Sequence, residues 1–243
     1  IVEDNRTNMI LARAIISRLL PGSEIFQASN GAEAIEQYRL NRPDFMFMDI
    51  QMPVMNGYDA TQNIREMESL LGKRCPIIAF TAGTVKGEEA RCIEAGMDDY
   101  ISKPVVEETI DRVLKTWLTE VKDTSYKRKD MFSQPESYHF NRIELIERLD
   151  GDEDLLRELI SVSSETYTGL LKEMKAAFKE KQCMEIKLIA HSIKGSARSI
   201  CCHTLADIAT RIELMNGAEF ETMEVLITEL ESEINTLNEE FFR

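Results

Sequence analysis

The sequence predicts a parallel α/β domain followed by an all-helical one. Over residues 1–118 short apolar runs alternate with longer amphipathic segments, whereas from residue 140 onward every segment has helical period and strand signals vanish. Between the two lies "EVKDTSYKRKDMFSQPESYH" (120–139), polar and charge-rich with one proline, a linker by composition. At 243 residues the chain is long enough for two domains with separate cores, taken here as 1–119 and 140–243.

In order, "IVE" at the start reads as the stub of a central first strand, short of the roughly five residues such a strand has. The first strand is therefore expected to be truncated, with natural sequence upstream. "EIFQAS" (24–29), "DFMFMD" (44–49), "PIIAFT" (76–81) and "DYIS" (99–102) read as the other strands. Helical period covers 6–20, 31–41, 58–71, 86–95 and 106–118; Asn30 and Gly31 start the second of these, and Pro43 and Pro76 stop what precedes them. Strict alternation implies a parallel sheet with right-handed crossovers and helices on both faces. In the second half, 141–149, 153–180, 182–199, 201–215 and 219–242 read as helices, broken by "DGD" at 150–152 and "NG" at 216–217. The expectation is an antiparallel helical bundle.

Formal net charge is −14, of which −5 falls on 1–118 and −9 on 140–243. So acidic a second half repels a phosphate backbone, and no nucleic-acid partner is expected. No run of about 18 apolar residues suggests a membrane span. The chain itself is expected to make no membrane contact. The five cysteines (75, 92, 183, 201, 202) form no CxxC pair and read as reduced thiols of a cytoplasmic protein. Three histidines leave a zinc site little to work with.

The stretch "FMFMDIQMP" (45–53) carries an apolar strand straight into Asp49. In an open parallel sheet, ligands bind beyond the carboxyl ends of the strands. That rule gathers Glu3, Asp4, Asp49, Thr81 and Lys103 at one rim. Three crowded carboxylates raise one another's pKa unless a cation is present, and hard oxygen ligands with room for water suit Mg²⁺. With an ammonium and a hydroxyl added, the pocket suits a phosphoryl group better than a carbonyl.

The segments "VEDNRTNMILARAII", "NGAEAIEQYRLNRPDFMFMDIQMPVMNGYDATQNIR", "AFTAGT" and "RCIEAGMDDYISKPV" closely resemble a response-regulator receiver domain over about 1–118. The resemblance implies a flavodoxin-like fold with Asp49 as phosphoacceptor. It implies Mg²⁺ held by Asp4 and Asp49, by Glu3 through water and by the Gln51 backbone carbonyl. It also implies phosphoryl oxygens bound by Thr81 and Lys103, a Tyr100 that changes rotamer on activation, and a cis Lys103–Pro104 peptide. Packing alone explains Tyr100 nearly as well.

The second half contains "LIAHSIKGSARSICC" (188–202). At about 100° per residue, Lys187, Lys194, Gly195 and Arg198 fall within roughly 60° of His191. They form a basic stripe around an expectedly exposed imidazole, and Gly195 leaves clearance for something bulky. With "LDGDEDLLRELISVSSETYTGLLKEMKAAF" upstream and "LADIATRIELMNG" downstream, this resembles the histidine phosphotransfer domain over about 140–243. The resemblance implies a four-helix core, His191 as a second phosphoacceptor, electrostatic help from Lys194 and clearance from Gly195. That family often has a Gly-Ala pair where this chain has Cys201–Cys202.

Together the two halves read as the middle stages of a phosphorelay. A phosphoryl group would pass from an upstream histidine kinase domain to Asp49, then to His191, then to a downstream response-regulator receiver. The chain looks like the C-terminal part of a hybrid sensor histidine kinase, which would allow tethering to the inner membrane through an upstream region. Nothing in it resembles the ATP-binding part of a kinase, so kinase activity is expected only if such a core is joined upstream. A linker of about 20 residues spans roughly 25 Å, so transfer within or between chains is open, as is dimerisation. The alternative is a phosphorylation-switched binding module whose helical half only docks or dimerises.

Overall fold

The computed structural model describes residues 1–72, 74–81, 88–118, 139–215 and 220–241. The chain divides into two compact units, 1–128 and 129–243. The segment expected as linker lies outside the described residues except for its last, His139.

In the first unit the elements run α1 (Arg6–Leu19), α2 (Gly31–Asn41), β1 (Met46–Asp49), α3 (Gly57–Leu71), β2 (Ile77–Thr81), α4 (Glu88–Glu94), β3 (Asp99–Ser102) and α5 (Glu107–Leu118). The three strands are parallel in the order β1-β2-β3, with Asp49 opposite Phe80 and Thr81 opposite Ser102. The expected strand at 24–29 is reduced to a single bridge, Ala28 to Val2, and Val2 bridges Met48 on its other side. The reason is local. Residues 1–3 supply only one residue with partners on both sides, through Val2 N–H to Phe47 O, Asp49 N–H to Val2 O, and Glu3 N–H to Ala28 O. A ladder needs consecutive bridges, so the outer two strands of the expected sheet remain as one rung each. Their order is still that of a flavodoxin-like sheet, with the N-terminal segment between Ala28 and β1.

Every residue of β1 and β2 is buried, which is why these segments read as unbroken apolar runs. Val2, Met46, Met48, Ile64, Ile77, Ala79 and Met97 share one core, against which Tyr100 packs. Helix starts follow the asparagines. Asn30 Oδ1 accepts the Glu33 N–H at 3.0 Å while Glu33 reaches back to the Ser29 N–H at 2.7 Å, and Asn56 Oδ1 accepts the Asp59 N–H at 2.9 Å. Gly57 is forced by space: a Cβ there would lie 2.2 Å from the Asp49 carbonyl oxygen. Overpacking of this kind costs about 1–3 kcal/mol or more. Gly57→Ala is expected to lower the unfolding free energy of the first unit by about 3 kcal/mol or more, read from urea titration of the fluorescence of Trp117, the chain's single tryptophan.

The second unit is helical throughout its described residues: α6 (Arg142–Arg148), α7 (Glu153–Lys179), α8 (Cys183–Ser199), α9 (His203–Leu214) and α10 (Phe220–Phe241). Helix α8 packs on α7 and α9, and α10 packs on α7 and α9. Buried Leu156, Leu159, Tyr167, Leu171 and Met174 follow helical spacing along α7, and Ile186, Ile193, Ile212, Leu230 and Leu237 are buried on the other helices of the unit. None of the five cysteines is in a disulfide, and Cys201 and Cys202 are fully buried. His139 and His203 pair with Glu233 and Glu144, as structural contacts. No described helix is long and apolar enough to cross a membrane.

Candidate functional site

The first candidate site is assembled at the carboxyl edge of the sheet. Asp49 is the last residue of β1, and the chain then loops through 50–56 before returning to Asp49 at Gly57, whose N–H donates to Ile50 O at 2.8 Å. Glu3 is fixed from the start of α1: its Oε1 accepts the Asn8 Nδ2–H at 3.0 Å, and Asn5 caps the same helix. Lys103 follows β3, its N–H donating to Thr81 O at 2.6 Å, and the Lys103–Pro104 peptide is cis. Three elements therefore aim charged side chains at one point.

There Lys103 Nζ donates to Asp49 Oδ2 at 2.6 Å and to Glu3 Oε2 at 2.8 Å. Ligand oxygens of Glu3, Asp4 and Asp49 lie within 4.8 Å of one another. Glu3 and Asp49 are buried, with Asp4 less so. Burial, followed by the neighbouring Asp49 charge, pushes Glu3 up to about 8 despite Lys103. Burial alone would lower Lys103, but Asp49 and Glu3 outweigh it and raise its pKa. The cluster is thus short of positive charge even with the lysine in place. A hard divalent cation meets that need, and oxygen donors with room for water fit Mg²⁺, which is held through one or two carboxylates and keeps several waters. Gln51 is exposed and donates its N–H to Asp49 Oδ1 at 3.3 Å, so its backbone runs beside the carboxylate. Thr81 is buried at the end of β2, and Tyr100, partly buried on β3, sits opposite Ala79 in register.

The second candidate site is on α8. His191 Nδ1 lies 2.7 Å from Glu213 Oε1, a carboxylate contributed by α9. Lys194 Nζ donates to Glu213 Oε2 at 2.6 Å and lies 3.5 Å from His191 Nδ1. A carboxylate can only accept, so this contact fixes the hydrogen on Nδ1 and leaves the lone pair on Nε2. The imidazole is less open than the sequence suggested: its side chain is 16% exposed, because α9 covers the Nδ1 edge. Lys194 is likewise buried and ion-paired instead of standing on an open basic stripe. Gly195 remains partly exposed one turn along.

Glu213 escaped sequence reasoning. It sits in "RIELMNG", and only the packing of α9 on α8 brings it to the histidine. Burial would raise Glu213, but hydrogen bonds from His191 and Lys194 hold it down at about 2. Its contribution to stability is therefore complete above pH 4.5 and is lost as the pH falls through about 2. Glu213→Gln should lower the urea midpoint at pH 6.5, read by helical circular dichroism, and should flatten the loss of stability between pH 4.5 and pH 2.5 relative to wild type.

The chain thus joins a parallel α/β unit, with an acid trio and a lysine at its strand ends, to a helical unit with an oriented histidine. Known families match each half in turn. The response regulator receiver domain matches residues 1–115 and the Hpt domain matches residues 156–240. The chain belongs to the response-regulator receiver family through its first half and carries an Hpt domain in its second. Among relatives, the polar-differentiation response regulator DivK of Brucella anthropi is 38% identical over 118 residues, 49% of this chain and 93% of DivK. Hybrid signal transduction histidine kinase I of Dictyostelium discoideum is 36% identical over 121 residues, 48% of this chain but 7% of that protein. A solved receiver domain, from sensor histidine kinase PA1611 of Pseudomonas aeruginosa PAO1 with a magnesium ion coordinated in its active site cleft, is 37% identical. That match covers 48% of this chain and 93% of the other, with a TM-score of 0.43.

Proposed function

We propose that the chain relays a phosphoryl group from an upstream histidine kinase to Asp49, from Asp49 to His191, and from His191 to a downstream receiver. The observation that carries this reading is the pairing of two prepared acceptors, Asp49 held by Lys103 at 2.6 Å and His191 held by Glu213 at 2.7 Å. In the first step an Asp49 carboxylate oxygen attacks phosphorus as the donor's P–N bond breaks, giving an acyl phosphate. In the second, the Nε2 lone pair of His191 attacks that phosphorus, the P–O bond breaks, and Asp49 leaves as a carboxylate. The hydrogen stays on Nδ1, donated to Glu213, and that carboxylate stabilises the positive charge that develops on the ring.

Glu3, Asp4, Asp49 and the Gln51 backbone carbonyl are the groups that would hold Mg²⁺, which would neutralise phosphoryl oxygens when bound. Thr81 and Lys103 would offer the same oxygens a hydroxyl and an ammonium, and Tyr100 would report occupancy by changing its rotamer. The hybrid kinases among the relatives support a place downstream of a kinase core, in the same chain or in another. Both routes give the same labelling order. Incubation with a cognate kinase, Mg²⁺ and labelled ATP should give alkali-stable label on His191 in wild type, none in Asp49→Ala, and label confined to Asp49 in His191→Gln. Signalling that survives His191→Gln would favour a receiver that only switches binding.

A further inference from the structure

The outward face of α7 divides by charge. Glu158, Glu165, Lys172 and Lys179 follow one another at intervals of seven residues, so they run down one line of the helix with a drift of only about 20° per step. All four are exposed, and none has an ion-pair partner among the described residues, whereas Arg157 pairs with Asp154 and Lys175 with Glu231. The helix dipole accounts for Glu153 and Asp154 in the first turn and Lys179 in the last, but it falls off before Glu158, Glu165 and Lys172. Seven residues of helix rise about 10 Å, so Glu165 and Lys172 are too far apart to pair with each other. The sequence therefore lays down two unmet acids and two unmet lysines in line.

Between and beside these charges the same face is low, with exposed Ser161, Thr168, Gly169 and Ala176. A glycine in mid-helix weakens the helix, and packing inside the unit does not call for this one, since a Cβ at Gly169 would meet nothing within 4 Å. Its use is to let another backbone approach. A cavity of about 550 Å³ also opens on the basic half, lined by Thr168, Lys172, Lys175, Ala176 and Lys179 among others. On a half of the chain whose formal charge is −9, a hollow walled by lysines suits a carboxylate. The other half of the same face carries two.

A two-fold axis can pair this helix with its own copy in two ways. In the parallel pairing Glu165 meets the partner's Glu165 and Lys172 the partner's Lys172, like charge against like. In the antiparallel pairing, about an axis between Thr168 and Gly169, Glu165 opposes the partner's Lys172 and Glu158 opposes the partner's Lys179. Ser161 then faces the partner's Ala176, Thr168 the partner's Gly169, and every contact occurs twice. Only the antiparallel form is complementary in charge and in bulk. We infer that α7 is a self-association surface through which two copies of the chain pair antiparallel about Gly169. The contact uses neither Asp49 nor His191, so it goes beyond the relay reading and holds or fails independently of it. One helix pair is small as interfaces go, and its ion pairs are exposed, so the association is weak and weakened further by salt.

Sedimentation equilibrium of the full chain tests this. Wild type should show a monomer–dimer equilibrium that shifts toward monomer as salt is raised. Glu165→Lys and Lys172→Glu, each alone, should raise the dissociation constant at least about tenfold, because each sets like charges opposite one another. An equimolar mixture of the two variants should associate within about threefold of wild type, since every pair in the mixed dimer again joins opposite charges. Gly169→Gln should raise the thermal midpoint of the helical unit yet weaken association by about tenfold or more, which separates closeness of approach from folding. A wild-type chain that stays monomeric up to about 1 mM would overturn the inference. So would a dimer that both charge variants leave intact, which would place the contact on another face, or a mixture no tighter than the single variants.

Discussion

Lys103→Met will slow phosphoryl loading of Asp49 by about 10²- to 10³-fold, the scale lost when one preorganised charge-stabilising donor is removed. Lys103 Nζ is the only cation placed within hydrogen-bond reach of both Glu3 and Asp49 among the described residues. It is bonded to the same Asp49 carboxylate that would take the phosphoryl group. Removing it leaves two buried carboxylates facing each other, which a proton on Glu3, already held up to about 8, partly relieves. The variant should therefore fold with reduced stability and should gain more from added Mg²⁺ than wild type does, in a thermal-unfolding scan. Loading by labelled acetyl phosphate measures the loss. A rate within threefold of wild type would remove Lys103 from the chemistry.

Glu213→Ala will slow acceptance at His191 by about 10- to 100-fold while leaving Asp49 loading unchanged. Two effects combine. The imidazole loses the 2.7 Å contact that fixes its tautomer and ring plane, and misplacement by even an ångström costs about 100-fold in transfer. Lys194, 9% exposed at its side chain, loses its carboxylate partner as well and is left facing the ring nitrogen at 3.5 Å. Glu213→Gln should retain more activity than Glu213→Ala, because an amide oxygen can still accept from Nδ1. The ratio of His191 to Asp49 label after a fixed interval separates this role from a merely structural one.

Much of this was legible in the chain, and the exceptions share a cause. The buried strands β1 and β2 were readable because both their faces are covered, which leaves uninterrupted apolar runs. The strand expected at 24–29 was overcalled because its partner segment offers only Val2 for pairing, and local pattern cannot count a neighbour's rungs. At the first site, Glu3, Asp49, Thr81 and Lys103 could be placed at one rim from topology alone, since strand ends in a parallel sheet share an edge. The Lys103 bridge between the two acids is a distance and needed coordinates.

At the second site, helical periodicity put Lys194 and Gly195 beside His191, but it treats a helix in isolation. It could not reveal that α9 covers one edge of the ring, nor that Glu213 draws Lys194 inward.

The most direct test of the account is a single-turnover chase. The full chain, loaded at Asp49 with labelled acetyl phosphate and Mg²⁺ and then freed of excess donor, is sampled over time. Acid-labile and alkali-labile label are separated in wild type and in His191→Gln. The relay predicts that Asp49 label in wild type decays faster than in His191→Gln, with a matching rise of alkali-stable label at His191. Equal decay in the two proteins, with all label lost to inorganic phosphate, would contradict it.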